Sequence, residues 1–213
     1  MRLPIMMRRI NVVLIFFAIC LLSSCATSPS QPTIVTNTTA FFDDKYSSSG
    51  PIYLKNKYQI PKPMFEFYNQ KIAKYLSLTG FEVVAEENQA DRILTFKLEV
   101  DDGTTTTNTG SYSAVVPNYN PYNPANPISY GTAERAYSYN ITTFKRAFKL
   151  DISNIINSLT QEYEPIFTAV TTSNGSCNNI SEVFDEMLFA MFNNFDSANG
   201  QNRKLNVAGE FNC

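Results

Sequence analysis

The clearest periodic pattern in the chain lies near its C-terminal end, where apolar residues recur at helical spacing. Asn179 and Glu182 resemble a capping box at the start of this segment. Eight apolar residues then follow at intervals of three and four: Ile180, Val183, Phe184, Met187, Leu188, Met191, Phe192 and Phe195. This spacing places them on one side of a helix, which we interpret as a core-packing face.

An earlier segment has the same kind of pattern. Pro61 and Pro63 stand at its start, and Gly80 stands where a helix commonly ends. Its apolar side is formed by Met64, Phe65, Tyr68, Ile72, Tyr75, Leu76 and Leu78. We therefore predict a second amphipathic helix.

Strands are predicted where β-branched and aromatic residues cluster or alternate with polar ones. The predicted strands are residues 34–42, 81–84, 92–100, 134–152 and 161–172, the last two forming an antiparallel hairpin through a turn at 154–160. Two helices on one face of a mainly antiparallel sheet of four to five strands make an α+β fold. The predicted order is β-α-β-β-β-β-α.

Residues 103–131 interrupt this pattern with an insert rich in tyrosine, asparagine and proline. Its four prolines remove backbone donors and fix φ, so we predict a long loop rather than a helix or a central strand. Two interpretations stay open: a partner-contacting surface, or a hairpin extension without specific contacts. The first would use the tyrosines, which are enriched at interfaces. They are Tyr112, Tyr119, Tyr122 and Tyr130.

The N-terminal segment has the layout of a bacterial export signal. Three arginines and no acid precede an apolar run at residues 10–22, which is too short to span a membrane. The run ends at Leu22-Ser23-Ser24-Cys25, which resembles the lipobox of lipoproteins. We expect cleavage before Cys25 and lipidation of its thiol; an incidental cysteine after an ordinary signal is the alternative.

This interpretation divides the chain into four parts. They are a signal peptide (1–24), a lipidated tether (25–33), an α+β domain (34–196) that includes the insert, and a polar C-terminal tail (197–213). More than one acyl chain gives a stable membrane anchor. Because Ala26 rather than an aspartate follows the cysteine, we expect the protein on the outer membrane, facing the periplasm.

Two further cysteines, Cys177 and Cys213, remain in the mature domain. An oxidising compartment would allow them to form a disulfide. Closing a loop of this length would contribute roughly 3 to 4 kcal/mol. Two free thiols are the alternative.

Composition argues against several classes of function. The chain has no histidine and no phosphate-binding glycine motif, so we expect no metal site, no cofactor and no enzymatic activity. The carboxylate pairs at Asp43-Asp44, Glu86-Glu87 and Asp101-Asp102 are interpreted as solvated surface. Without the signal's three arginines, 14 basic residues face 19 acidic ones, a net charge of −5. This balance argues against nucleic-acid binding.

Three short stretches resemble the bacterial lipoprotein family called domain of unknown function 4136. They are residues 72–76, 80–84 and 90–94, where the family has a helix, a Gly-Phe link and an Ala-Asp strand start. The resemblance implies an envelope lipoprotein without established catalytic residues. We therefore expect a non-enzymatic binding or assembly component with an envelope protein partner. The alternative is an accessory lipoprotein of a secretion or outer-membrane assembly machine.

Overall fold

The structure is a computed structural model that describes residues 33–44, 46–119, 128–157, 159–193, 195 and 199–209. The predicted signal peptide, Cys25, Tyr122 and Cys213 lie outside the described residues. The strands are β1 (Thr33–Phe42), β2 (Gly50–Leu54), β3 (Phe81–Val83), β4 (Arg92–Val100), β5 (Thr104–Tyr119), β6 (Ile128–Asn157), β7 (Glu162–Gly175) and β8 (Asn202–Ala208). The α-helices are α1 (Lys62–Thr79) and α2 (Phe184–Phe192).

The sheet is mixed and larger than predicted. Seven strands lie in the order β3-β2-β4-β6-β7-β1-β8, and β5 pairs with β6 outside this row. Strand β2 runs parallel to both β3 and β4, whereas the other neighbours are antiparallel. The predicted antiparallel sheet of four to five strands was therefore wrong. Within the described residues the order is β-β-α-β-β-β-β-β-α-β.

The missed strands have weak sequence patterns for identifiable reasons. Strand β2 has five residues and begins with Gly50-Pro51, a dipeptide typical of turns. Strand β8 lies in the segment predicted as a polar tail, and Val207 is its one buried residue. Strand β5 lies in the predicted loop. The parallel pairs require a crossover connection, which α1 supplies between β2 and β3.

Both predicted helical segments are present. Helix α1 buries Tyr68, Ile72 and Leu76 and ends at Gly80, whose N–H bonds to the Leu76 carbonyl. The C-terminal segment begins with a 3-10 turn at Ile180–Val183 before α2. All eight of its predicted apolar residues are buried, so the core interpretation is confirmed. No helix within the described residues is long and apolar enough to span a membrane.

The two helices cover the same face of the sheet. Phe65 of α1 stacks on Phe96 of β4 with ring centroids 5.3 Å apart. Phe184 of α2 contacts Phe148 of β6 at 5.1 Å, and Phe96 lies 6.4 Å from Phe148. Because side chains alternate along a strand, Ile93 and Thr95 of β4 point to the opposite side. We call that side the helix-free face.

A buried polar group lies within the helix-covered face. Arg146 of β6 is 1% exposed, and its Nη1 donates to the Cys177 carbonyl at 3.4 Å. Its Nε and Nη2 have no hydrogen-bond partner within the described residues, and neither has the Ser173 hydroxyl. Burial lowers the pKa of Arg146. A buried cation with so few partners is costly to fold.

Candidate functional site

The tyrosine-rich insert begins at a bulge that joins β4 to β5. Val100 pairs with Arg146 and Thr104 pairs with Thr143, which leaves three residues, 101–103, opposite two, 144–145. The extra residue makes this a β-bulge, a feature that redirects a strand. The Asp101 carboxylate accepts hydrogen bonds from the backbone N–H groups of Gly103 (3.1 Å) and Lys145 (2.8 Å). This carboxylate therefore fixes the bulge.

Beyond the bulge, β5 and the first half of β6 form a long two-stranded ribbon. We call Thr104–Tyr119 together with residues 128–143 the hairpin arm. Strand β5 has 16 residues, every one of them paired with β6, and no other described strand pairs with either edge. The prediction of a loop was thus wrong for these residues. Pro117 is tolerated because β5 is an edge strand.

One face of the arm carries three tyrosines in a row. The rings of Tyr112 and Tyr137 lie 6.1 Å apart, and those of Tyr137 and Tyr139 are stacked at 5.9 Å. Tyr137 lies across Gly110, where an added Cβ would come within 2.6 Å of the ring. About half of each tyrosine stays exposed, at 53%, 48% and 47% in that order. We call Tyr112, Tyr137 and Tyr139 the tyrosine ladder.

The opposite face of the arm carries a different exposed group. Tyr130, opposite Pro117, is 74% exposed, and Val115 is 70% exposed. Strand alternation separates both from Tyr112, so the structure does not bring Tyr112 and Tyr130 together. Tyr119 is placed by its backbone register opposite Ile128. Tyr122 lies outside the described residues.

Sequence reasoning missed Tyr137 and Tyr139 as candidate site residues. They lie in a segment that was predicted as a sheet strand, where exposed aromatic residues are not expected. Their spacing of two was the available clue, because Tyr137, Tyr139 and Ile141 must share one face of a strand. This spacing indicates an exposed aromatic surface only once the structure shows that no other element covers that face of the strand.

The arm offers aromatic and hydroxyl groups but little charge. Glu134 and Arg135 are the two charged residues in its sequence. Threonine hydroxyls pair across the strands, as between Thr105 and Thr142 at 2.9 Å. Such a surface can bind through ring contacts and hydrogen bonds, while offering little long-range electrostatic attraction.

The other predicted site residues lie elsewhere in the fold. Cys177 is 5% exposed and disulfide-bonded. Cys213, its predicted partner, lies outside the described residues, so that pairing stays a prediction. Among the carboxylates, Glu87 forms an ion pair with Lys55 and Asp101 fixes the bulge. The described residues contain no group of three or more acidic or cysteine side chains able to hold a metal ion.

Comparison with known proteins gives little additional information. No protein-family model matches the chain, and no curated protein is similar to it. A crystal structure of a PDZ domain protein from Parabacteroides distasonis ATCC 8503 is similar with a TM-score of 0.45 and 10% sequence identity. That similarity covers 83% of this chain and 40% of the other. The likeness is too remote to bear on function.

Proposed function

We propose that this protein is a lipid-anchored lipoprotein of the cell envelope, and that it binds an envelope protein through the tyrosine ladder of the hairpin arm. Its role is that of a non-enzymatic binding or assembly component. The exposed ladder, on an arm whose outer edges pair with no other described strand, is the observation that carries this proposal.

The energetics of the arm favour a partner. An isolated two-stranded hairpin is only marginally stable in water, because it buries little apolar surface. Tyr112, Tyr137 and Tyr139 contact one another but leave about half of their surface in solvent. A partner that covers these rings would bury amphipathic area with little loss of side-chain entropy. Of the two charged residues of the arm, Arg135 lies opposite Tyr112 on the ladder face and Glu134 lies on the other face, so we expect a partner surface that is mainly apolar with a small negative charge.

The proposed location rests on the sequence. The lipobox-like Leu22-Ser23-Ser24-Cys25 and the resemblance to domain of unknown function 4136 support lipidation, and Ala26 after the cysteine supports an outer-membrane position. Replacing Cys25 with alanine should block lipidation and the cleavage that depends on it, and should therefore remove the protein from the outer-membrane fraction. Retention of the Cys25→Ala protein in washed outer membranes would contradict a lipid anchor.

Site-specific photo-crosslinking in intact cells tests the binding role. A photoreactive phenylalanine analogue at position 137 or 139 should give a discrete adduct with one envelope protein. Position 138 is the matched control, because Ser138 is a neighbouring exposed residue on the other face of the arm. A stoichiometric secretion or assembly machine in the adduct would favour the accessory role.

A second experiment separates binding from folding. Tyr137→Ser combined with Tyr139→Ser should abolish the adduct formed from position 112 while leaving the circular dichroism spectrum and the melting temperature of the body unchanged. Equal crosslinking from positions 137, 138 and 139, or an unchanged adduct in the double variant, would show that the ladder is not the contact surface.

A further inference from the structure

The helix-free face of the sheet contains a groove that is separate from the hairpin arm. Its floor is formed by β4, β6 and β7, with Ile93, Thr95 and Asp151 at the centre. The segment after β2 contributes Lys57 to one wall, and the start of β7 contributes Tyr163 to another. The cavity has a volume of about 620 Å³. That size falls within the range of small-molecule sites. We call it the lysine groove.

One wall of the groove is held by a closed set of hydrogen bonds. Lys55 Nζ donates to Glu87 Oε1 at 3.0 Å and to the Tyr163 hydroxyl at 2.5 Å. That hydroxyl in turn donates to Glu87 Oε1 at 2.6 Å. Burial lowers the pKa of Lys55, but its bonds to Tyr163 and Glu87 raise the pKa by more. This triad is neutral overall and internally paired, so it positions the wall.

The floor contains a second neutral pair. Lys149 Nζ lies 3.2 Å from Asp151 Oδ2, and the Thr168 hydroxyl donates to Asp151 Oδ1 at 2.7 Å. Both oxygens of this carboxylate are therefore engaged. The Lys149 ammonium has three donors, of which Asp151 takes one. Two donors of this ammonium are therefore left for a ligand or for water.

Lys57 gives the groove a net positive charge. Its ammonium lies 5.7 Å from the Tyr58 ring centroid and has no carboxylate partner within the described residues. The groove and its wall contain three ammonium groups, those of Lys55, Lys57 and Lys149, and two carboxylates, those of Glu87 and Asp151, which leaves one unit of positive charge. The protein as a whole is acidic, with a formal net charge of −2. The groove is therefore positively charged in a protein whose net charge is negative.

The side chains that line the groove indicate which kind of anion it could bind. Phosphate sites commonly use arginine forks or helix N-termini. Neither is found among the described residues that line the groove. A single unmatched ammonium beside hydroxyl and amide groups suits one negative charge. Tyr58, Ile93 and Pro165 add apolar surface beside these polar groups.

We propose that the lysine groove binds a small monocarboxylate with an apolar or aromatic body. The carboxylate lies against Lys57 and Lys149, and the body packs on Tyr58, Ile93 and Pro165. This site is separate from the hairpin arm, so the proposal does not depend on whether the arm binds a protein.

Ligand-observed saturation-transfer NMR on the full-length chain in mild detergent tests the proposal. Benzoate is the probe, benzamide is its neutral isostere, and inorganic phosphate is the competing anion. We expect benzoate to bind at least about tenfold more tightly than benzamide, a difference of about 1.4 kcal/mol. Phosphate should bind more weakly than benzoate.

Two charge-removing variants locate the site. Lys57→Gln and Lys149→Gln should each weaken benzoate binding about tenfold, which corresponds to about 1.4 kcal/mol. Lys62→Gln is the matched control, because the Lys62 side chain is 87% exposed on α1, away from the groove. Thermal melts confirm that the three variants are folded. Absence of a benzoate signal, equal binding of benzamide, tighter binding of phosphate, or identical affinities in the Lys57 and Lys62 variants would each overturn the proposal.

Discussion

Arg146 provides the sharpest test of the energetics of this fold. It lies at the centre of β6, almost wholly buried beneath the segment that contains Cys177. Its guanidinium makes one long hydrogen bond, and two of its nitrogens have no partner within the described residues. We predict that Arg146→Met stabilises the protein, because methionine fills a similar volume and carries no charge.

The size of this effect follows from the contacts. Each unsatisfied buried donor costs about 1–3 kcal/mol, whereas a hydrogen bond to a charged group contributes about 1.5–3 kcal/mol at normal length. The bond that Arg146 loses is a long one of 3.4 Å, while two of its nitrogens are unsatisfied. Replacing buried charges with apolar side chains of similar volume has stabilised other proteins by about 1–4 kcal/mol. We therefore expect the free energy of unfolding to rise by about 1–4 kcal/mol. Arg146→Ala should lie about 2–5 kcal/mol below Arg146→Met, because it leaves a cavity.

Urea denaturation followed by circular dichroism measures the change, under non-reducing conditions that preserve the disulfide. For a urea m-value of about 2.5 kcal/mol/M, Arg146→Met should raise the midpoint by roughly 0.4–1.6 M. A fall of more than about 1 kcal/mol in the free energy of unfolding would contradict this prediction. It would show that the guanidinium has a compensating partner.

Gly175 supplies an internal control for the same argument. A Cβ at this position would lie 2.7 Å from Arg146 Nη2, so Gly175→Ala should destabilise the protein. In the Arg146→Met background the cost should shrink, because the more flexible methionine can move aside. A double-mutant cycle measures the difference. Strictly additive effects would place the two residues out of contact.

Other parts of the structure lead to further predictions. Leu188→Asp should abolish soluble expression because it buries an unpaired carboxylate, whereas Phe189→Asp, at a position that is 47% exposed, should express normally. The hydrogen bond from Tyr163 is the main cause that holds the pKa of Glu87 below its usual 4.5. The stability from Glu87 is thus present above pH 4.5 and is lost as the pH falls through the lowered pKa. Glu87→Gln should therefore flatten the acid limb of the stability curve. The intact mass of the non-reduced protein should be two hydrogens below that of the reduced protein, and Cys177→Ser should remove the difference.

The elements that could be predicted from sequence are those whose large apolar residues recur at helix or strand spacing. Leu188 and its neighbours have helical spacing, and Leu94, Phe96 and Leu98 of β4 alternate along a strand, so both elements were located correctly. Ile93 and Thr95 on the other face of β4 are buried as well, which the alternation did not indicate. Strand β5 has no apolar periodicity because both of its faces meet solvent. The parallel pairing of β2 could not be inferred, because parallel register depends on contacts that α1 brings together across the chain.

The residues of the candidate site could be predicted only in part, because composition is a local property whereas the placement of side chains depends on strand pairing. Composition alone drew attention to the tyrosines of the insert. Strand register then placed Tyr112 beside Tyr137 and put Tyr130 on the other face. The lysine groove was invisible in the sequence, because Lys57, Lys149 and Tyr163 come from three separate segments. Sheet order brings them together.

Strand β6 has consequences for how the protein opens. Residues 144–157 lie between β4 and β7, while residues 128–143 pair on one edge with β5. Segments with few buried contacts open with a smaller free energy than the rest of a domain. Amide hydrogens of the arm should therefore exchange with solvent well before those of the same strand in the sheet. The arm can unzip and re-form while the body stays folded, so it can adjust its shape on another surface without loss of the fold.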